Sequence, residues 1–274
     1  MSSELDYKGN KIIEETKVLD HGFVKLLDTM GNDEEVENAA RISYGEGTRK
    51  VSQTRNLIRY LMRHRHTSPF EMCEVKFHLK LPIFIMRQLV RHRTANLNEY
   101  SGRYSVMSDD FYFPKGSSLK PQSTTNKQGR EDGKLPNPGE IEFEIFRVFD
   151  GATTAYKNLL DWNLSRELSR IVLPVSNYTE VIWKIDLNNF FKFYQLRSDS
   201  HSQEEIQHYA NAMWNLVEPH FPLCCEAFSD YGLNAKTFSK QEMDIIKDNL
   251  DGSWKMDKYG LSDRESTEFL EKIK

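Results

Sequence analysis

Two stretches of strict apolar and polar alternation, each running straight into a helix that closes on arginine, constrain this chain more than any other feature. In "MCEVKFHLKLP", Val75, Phe77, Leu79 and Leu81 alternate with Glu74, Lys76, His78 and Lys80. That is the period of a strand with one buried face. Pro82 suits the first turn of the helix that follows, "PIFIMRQLVRHR", in which Arg87 and Arg91 stand four apart and share a face. The order recurs in "YTEVIWKID", where Val181, Trp183 and Ile185 alternate with polar neighbours, and in "LNNFFKFYQLR", which ends at Arg197. Strands and helices in this mixed order predict an α+β fold, with mixed helices and an antiparallel-type sheet, rather than a doubly wound parallel sheet.

The remaining segments read in the same way. "ETKVLDHGFVKLLDTMG" is strand material with a turn at Asp20 to Gly22, and "NDEEVENAARISYG" is a helix with acids in its first turn and Gly45 beyond its end. "QTRNLIRYLMRHRH" places Leu57, Ile58, Leu61 and Met62 on one helical face and its arginines on the other. Four prolines and four glycines between Pro114 and Gly139 predict a mobile insertion loop over 115–139. A long helix, "EIEFEIFRVFDGATTAYKNLLDWN", and "SRELSRIVLP" follow. "SHSQEEIQHYANAMWNLVEPHF" then reads as a capping box from Ser202 to Glu205, with Ile206, Ala210, Met213 and Val217 as an apolar face. The organisation expected is one domain over 1–232, with the insertion inside it, and a charged helical extension over 233–274.

Charge narrows the function classes. The formal net charge is −4, which argues against wholesale nucleic-acid binding. Between Arg55 and Arg103, however, ten Lys and Arg face three acids, a local balance of +7, and His64, His66, His78 and His92 lie in the same zone. Such a zone suits anions. The cysteines Cys73, Cys224 and Cys225 are odd in number and two are adjacent, so a disulfide framework is not expected and buried free thiols are. The opening "MSSELDYKGNKIIEE" has no apolar run and no stretch of about 18 apolar residues occurs anywhere. A soluble, cytoplasmic protein with no membrane partner is expected.

The chemistry concentrates in "RHRTANLNEYSGRYS", residues 91–105. Arginine offers a planar fork of donors that fits phosphate or the imide edge of a base. A solvated basic helix end explains the cations but not the polar loop of Asn98, Glu99, Ser101 and Gly102. A metal centre on His64 and His66 is disfavoured by the cations Arg63 and Arg65 beside them. Two rival classes remain: a nucleic-acid-binding module with Tyr100, Tyr104 and Tyr112 stacking on bases, and a metal-dependent nucleotide hydrolase using His64, His66 and His92.

Arg91-His92-Arg93, seven intervening residues, Ser101, one residue and Arg103 reproduce a pattern that resembles the RHR(X7)SXR signature of flavin-dependent thymidylate synthases. The similarity runs from about Asp20 to Tyr231 and takes in "MGND", "AARISY", "YLMRHRHTSPFE", "RIVLP" and "LRSDSHSQEEIQ". It implies the fold of that family and a homotetramer with shared active sites at subunit interfaces. It also implies reductive methylation of dUMP to dTMP without an enzymic nucleophile, with FAD as cofactor, NADPH and 5,10-methylenetetrahydrofolate as co-substrates, and tetrahydrofolate released. Neither nucleic acid nor a metal is expected to take part. Position by position, the resemblance implies dUMP contacts for Gln88, Arg91, Glu99, Ser101, Gly102, Arg103, Arg170 and Arg197, with Arg103 and Arg170 on the phosphate and Arg170 from a neighbouring subunit. Arg197 matches the catalytic arginine that stabilises negative charge on the uracil imide. Flavin contacts are implied for Ser43, His66, Ser68, Glu71, Arg91, His92, Arg93, Asn98, Glu99 and His201. Asp186, Asn188 and Lys192 stand where the family carries asparagine-rich flavin contacts. Ser101 has no Ser-His-acid arrangement around it and is assigned to substrate binding.

Overall fold

A computed structural model describes residues 15–42, 53–124 and 127–248, together with Asp263 and Thr267. Two compact units result, Met1–Leu233 and Asn234–Lys274. In the first, β1 (Glu15–Val18) and β2 (Gly22–Met30) form a hairpin whose turn holds Leu19 at a φ of 60°. Gly22 carries no Cβ because the Tyr209 hydroxyl occupies that space on its way to the Lys80 carbonyl, 2.7 Å off. β3 (Glu74–Pro82), β4 (Asn96–Glu99) and β5 (Tyr178–Asp186) complete a five-stranded sheet of order β1-β2-β3-β5-β4, antiparallel at every step.

The alternation read from the sequence is the alternation of the sheet. Val75, Phe77, Leu79, Leu81, Val181, Trp183 and Ile185 are buried on one face. Helices α4 (Ile83–Leu89), α7 (Leu187–Arg197) and α8 (Glu204–Val217) share their core. Their intervening residues form a polar face, on which Lys184 reaches Glu74 at 2.7 Å, His78 meets Glu180 at 2.8 Å and Lys76 meets Asp28 at 3.2 Å. Phe77 stands opposite Trp183 in the ladder, and Phe190 and Phe193 of α7 pack on the pair at 5.9 and 5.2 Å between ring centroids. Around this centre lie α1 (Asp33–Arg41), capped by Asn32, α2 (Thr54–Arg63), α3 (Ser68–Glu71) and α9 (Pro222–Phe228). Cys73, Cys224 and Cys225 are buried and free, and burial pushes the Cys73 thiol up to about 11. Among the described residues no helix is long and apolar enough to cross a membrane.

Four local expectations need correction. Helix α4 stops at Leu89, so Arg91, His92 and Arg93 lie in the turn beyond it and Arg91 does not share a helical face with Arg87. Arg59 of α2 is buried rather than solvated: its guanidinium lies 3.3 Å from Glu226 and 2.5 Å from Asp230, and donates to the Tyr231 hydroxyl. Carboxylates on a neighbouring element drew it inward, which helical periodicity does not report. The insertion is fastened rather than loose, with a 3-10 turn at Gly116–Ser118 and a bridge between Gln122 and Arg130. Finally, α8 has no capping box. Its N-cap is Gln203, while the Ser202 hydroxyl donates to the Leu196 carbonyl at 2.6 Å and Glu205 is held by Tyr112 and Arg130.

The long helix α5 (Pro138–Asp161) and the short α6 (Arg166–Ser169) form as read. α5 buries only Ala152 and Tyr156. The second unit contains α10 (Lys240–Asp248), and most of the charged helical extension beyond it lies outside the described residues, as do Ser43 and Gly45.

Trp183→Ala empties the centre of the sheet and is expected to cost about 3–5 kcal/mol, read as a lowered midpoint in urea with unchanged slope.

Candidate active site

Because β3 and β5 are antiparallel, α4 leaves the sheet at one end and α7 at the other, and their C-terminal ends meet. Arg197, the last residue of α7, donates from Nε to His92 Nε2 at 3.0 Å and from Nη2 to the Gln88 carbonyl at 3.3 Å. The Gln88 side chain donates in turn to Gln203 at 2.6 Å, joining α4 to the start of α8. His92 sits edge-on against Phe193, 5.0 Å between centroids, so the core fixes the ring that fixes the arginine.

The electrostatics follow from this geometry. A half-buried imidazole loses hydration if it becomes charged, and the Arg197 cation opposes charging further. Burial first and Arg197 second hold the His92 pKa down to about 4. At neutral pH the ring is therefore neutral, and because its Nε2 accepts from Arg197, its proton resides on Nδ1. Burial and the Arg91 charge lower the Arg197 pKa, yet a guanidinium stays protonated at neutral pH. Arg197 is thus a cation oriented by neutral acceptors, with no carboxylate to neutralise it, and its Nη1 has no protein partner among the described residues. Such a group is ready for an anionic ligand.

A second group forms around the turn after β4. The Ser101 hydroxyl accepts from the Arg103 N–H at 3.3 Å, and the Ser101 carbonyl accepts from the Tyr104 and Ser105 N–H groups, both at 3.1 Å. Gly102 lets the Met107 and Arg170 side chains pack closely on this turn, because a Cβ there would fall 2.7 Å from Met107 Sδ and 3.1 Å from Arg170 Cδ. Arg170, in a 3-10 turn at Arg170–Val172, therefore lies against Gly102 of its own chain. Arg103 pairs with Glu167 at 2.9 Å, and Arg166 donates to the Tyr104 carbonyl at 2.9 Å. Ser101, Gly102, Arg103 and Arg170 thus form one surface. Arg91, Arg93 and Arg170 are exposed and have no side-chain partner among the described residues.

The positions matched to flavin contacts fall in two places. At the N-terminal end of α7, Asn188 donates to Glu71 at 3.1 Å, while Asp186 caps the helix through Asn189 N at 2.9 Å and holds Asn189 Nδ2 at 2.7 Å. Beside them His66 and Ser68, with Ala39, Ala40, Ile42, Leu61, Pro69 and Met72, line a cavity of about 570 Å³. At the other end of α7 stand Arg91, His92, Arg93, Asn98, Glu99 and the exposed His201, whose ring meets Asp199 at 2.8 Å. Lys192 is exposed midway along the helix. Asn188 and Arg197 are nine residues apart, roughly 13 Å along the axis. Glu99 takes a hydrogen bond from Thr179 at 2.9 Å.

Two supporting residues escaped the sequence reading. Thr179 had a signal: it is a polar residue in phase with Val181, Trp183 and Ile185, at a core-facing position of β5. Gln203 had none, because a residue before a helix declares no partner 115 positions away.

The comparisons agree with this architecture. Residues 25–223 match the family described as thymidylate synthase complementing protein. The flavin-dependent thymidylate synthase of Dictyostelium discoideum is 48% identical over 250 residues, covering 88% of this chain and 82% of that one. The enzyme of the same name from Treponema denticola is 44% identical over 263 residues, covering 95% and 97%. Among solved structures, the UMP/dUMP methylase PolB from Streptomyces cacaoi bound with 5-Br dUMP aligns at a TM-score of 0.72 and 33% identity, over 81% of this chain and all of that one (100%). Fold and relatives together define an enzyme, a methyltransferase of α+β architecture. The chain belongs to the flavin-dependent thymidylate synthases.

His92 gives this site a testable proton signature. An unfolded histidine protonates near about 6.5, whereas the folded ring resists protonation down to about 4. The contribution of His92 to stability is then complete above pH 6.5 and is lost as pH falls from about 6.5 to about 4, where the unfolded chain binds the proton first. Imidazole nitrogen NMR should report the neutral Nδ1–H tautomer at pH 6; titration of His92 near 6.5 would contradict the assigned contact.

Proposed function

We propose that this enzyme makes dTMP from dUMP by reductive methylation, taking the carbon from 5,10-methylenetetrahydrofolate and releasing tetrahydrofolate. The observation that carries the reading is Arg197, a cation held by a neutral histidine, with a donor, Nη1, that meets no protein group among the described residues. Stabilising negative charge on the imide edge of uracil asks for such a donor, preorganised in a partly dehydrated site. A carboxylate in place of His92 would quench it. Gln88 and Arg91 stand beside Arg197 to fix the ring. Ser101, Gly102, Arg103 and Arg170 offer backbone and guanidinium donors suited to the 5′-phosphate. Among the described residues no Ser-His-acid arrangement surrounds Ser101, which supports a part of orientation and charge for the chain and not nucleophilic attack.

FAD fits the residues present. The cavity beside His66 and Ser68, about 570 Å³, is lined by buried Leu61 and Ala40 and by the exposed Ile42 and Met72, a volume within the usual range for a ligand site. Glu71 and Asn188 add polar groups at the same end of α7, and His92, Arg93, Asn98 and His201 offer a second polar set at the other end of that helix. Bound and reduced by NADPH, FAD supplies the hydride that side chains cannot carry. The neutral His92 meanwhile holds Arg197 without competing for its charge.

The division of these residues into separate groups on one chain supports shared sites in a homotetramer. So does the exposed apolar surface of α5 and the segment after it, where Phe143, Phe146, Trp162 and Ile171 face outward; large exposed apolar patches mark association surfaces. In this reading the Arg197 group of one chain meets the Ser101–Arg170 group of another.

Arg197→Ala should lower dTMP formation by about 100-fold or more while FAD binding, read from its absorbance, persists; near-normal turnover would refute the role. Arg170→Ala and Arg197→Ala chains, each inactive alone, should regain activity when mixed into verified hetero-oligomers. Failure to complement would show that each site lies within one chain.

A further inference from the structure

The insertion reaches the site at a buried carboxylate, Glu205, which Arg130 holds. Its hairpin is closed by Ser123 N to Gly129 O at 2.9 Å, Glu131 N to Pro121 O at 3.1 Å and Thr124 N to Glu131 at 2.7 Å. Arg130 on this hairpin donates to the Ser118 carbonyl at 2.8 Å and to Glu205 Oε2 at 2.8 Å. The Glu205 side chain is only 4% exposed, and its other oxygen accepts from the Tyr112 hydroxyl at 3.1 Å. A buried carboxylate needs a cation and full hydrogen bonding, and among the described residues Arg130 is the one cation that reaches it. Position in the first turn of α8 adds the favourable end of the helix dipole.

Glu205 lies two residues after Gln203, the partner of the Gln88 side chain, and the Gln88 carbonyl is the partner of Arg197. The strap 198–203 is thus pinned at one end by α7, through Arg197 and the Ser202 bond to Leu196, and at the other by Arg130 through Glu205. We propose that the insertion braces this strap, with Arg130 acting as a positioning residue that holds Gln203, Gln88 and Arg197 in register for the pyrimidine. Without Arg130 the buried Glu205 must turn toward water or take a proton, and either movement shifts the first turn of α8. Misplacement by about 1 Å is enough to cost as much as 100-fold in rate. The inference rests on the function proposed above.

The test compares Arg130→Met, Arg130→Lys and the double variant Arg130→Met with Glu205→Gln in the full-length chain. The double variant removes the buried charge without restoring the brace. In Arg130→Met, amide hydrogen exchange over 198–207 should speed up by about tenfold or more, and kcat/KM for dUMP should fall by about tenfold. Arg130→Lys should keep most of both. The double variant should recover thermal stability but not the slow exchange or kcat/KM. If Arg130→Met does not fold, the double variant supplies the same comparison. Unchanged exchange over 198–207, or recovery of both exchange and kcat/KM in the double variant, would overturn the brace and leave Arg130 as a charge partner alone. If the wild-type chain makes no dTMP, the proposed function fails, and the exchange comparison still decides the brace.

Discussion

The antiparallel pairing of β3 with β5 is the constraint on which the rest depends. Nine residue pairs from Glu74–Asp186 to Pro82–Tyr178 make a ladder roughly 30 Å long. The helices that follow these strands start at opposite ends of it. α4 has 7 residues and α7 has 11, roughly 10 and 16 Å, so together they nearly span the ladder and their C-terminal ends come face to face. Arg197 and the Gln88 carbonyl meet there because helix and strand lengths match. The Phe77–Trp183 pair and the Phe190 and Phe193 rings beneath hold the join in place.

Charge at that join is arranged by what is absent as much as by what is present. Two helix C-termini favour cations, which accounts for tolerance of Arg91, Arg93 and Arg197 in one neighbourhood. The orienting partner of Arg197 is an imidazole kept neutral by burial and by the arginine itself. The arginines of α2 show the alternative. Arg59 is buried among Glu226, Asp230 and Tyr231, and Arg55 pairs with Glu226. These cations tie α2 to α9 and to Asp230 and Tyr231 just beyond it, so carboxylates already meet their charge.

That contrast explains what could be read from the sequence. The alternation in 74–82 and 178–186 reports burial on one face of a sheet, so both strands and their antiparallel sheet were legible, as was the helix closing on Arg197. Fixed spacing from Arg91 to Arg103 carried the family. Arg59 and Arg197 look alike in sequence, however, because what separates them is a carboxylate contributed by an element 167 residues away in one case and a histidine 105 residues away in the other. The Ser202–Glu205 pattern failed for the same reason: Tyr112 and Arg130 offered Glu205 a buried partner set that outweighed a local cap. Glycines and prolines in 115–139 signal turns, but not the bonds from Arg130 to the Ser118 carbonyl and Glu205 that fasten them.

In the proposed function, this arrangement methylates a pyrimidine with reducing equivalents from bound flavin. The most direct test is the visible spectrum of the purified protein. Absorption bands near about 370 and 450 nm, characteristic of oxidised flavin, should bleach with NADPH and return on adding dUMP with methylenetetrahydrofolate, with dTMP formed in proportion. A protein that takes up no FAD and forms no dTMP under those conditions would contradict the account.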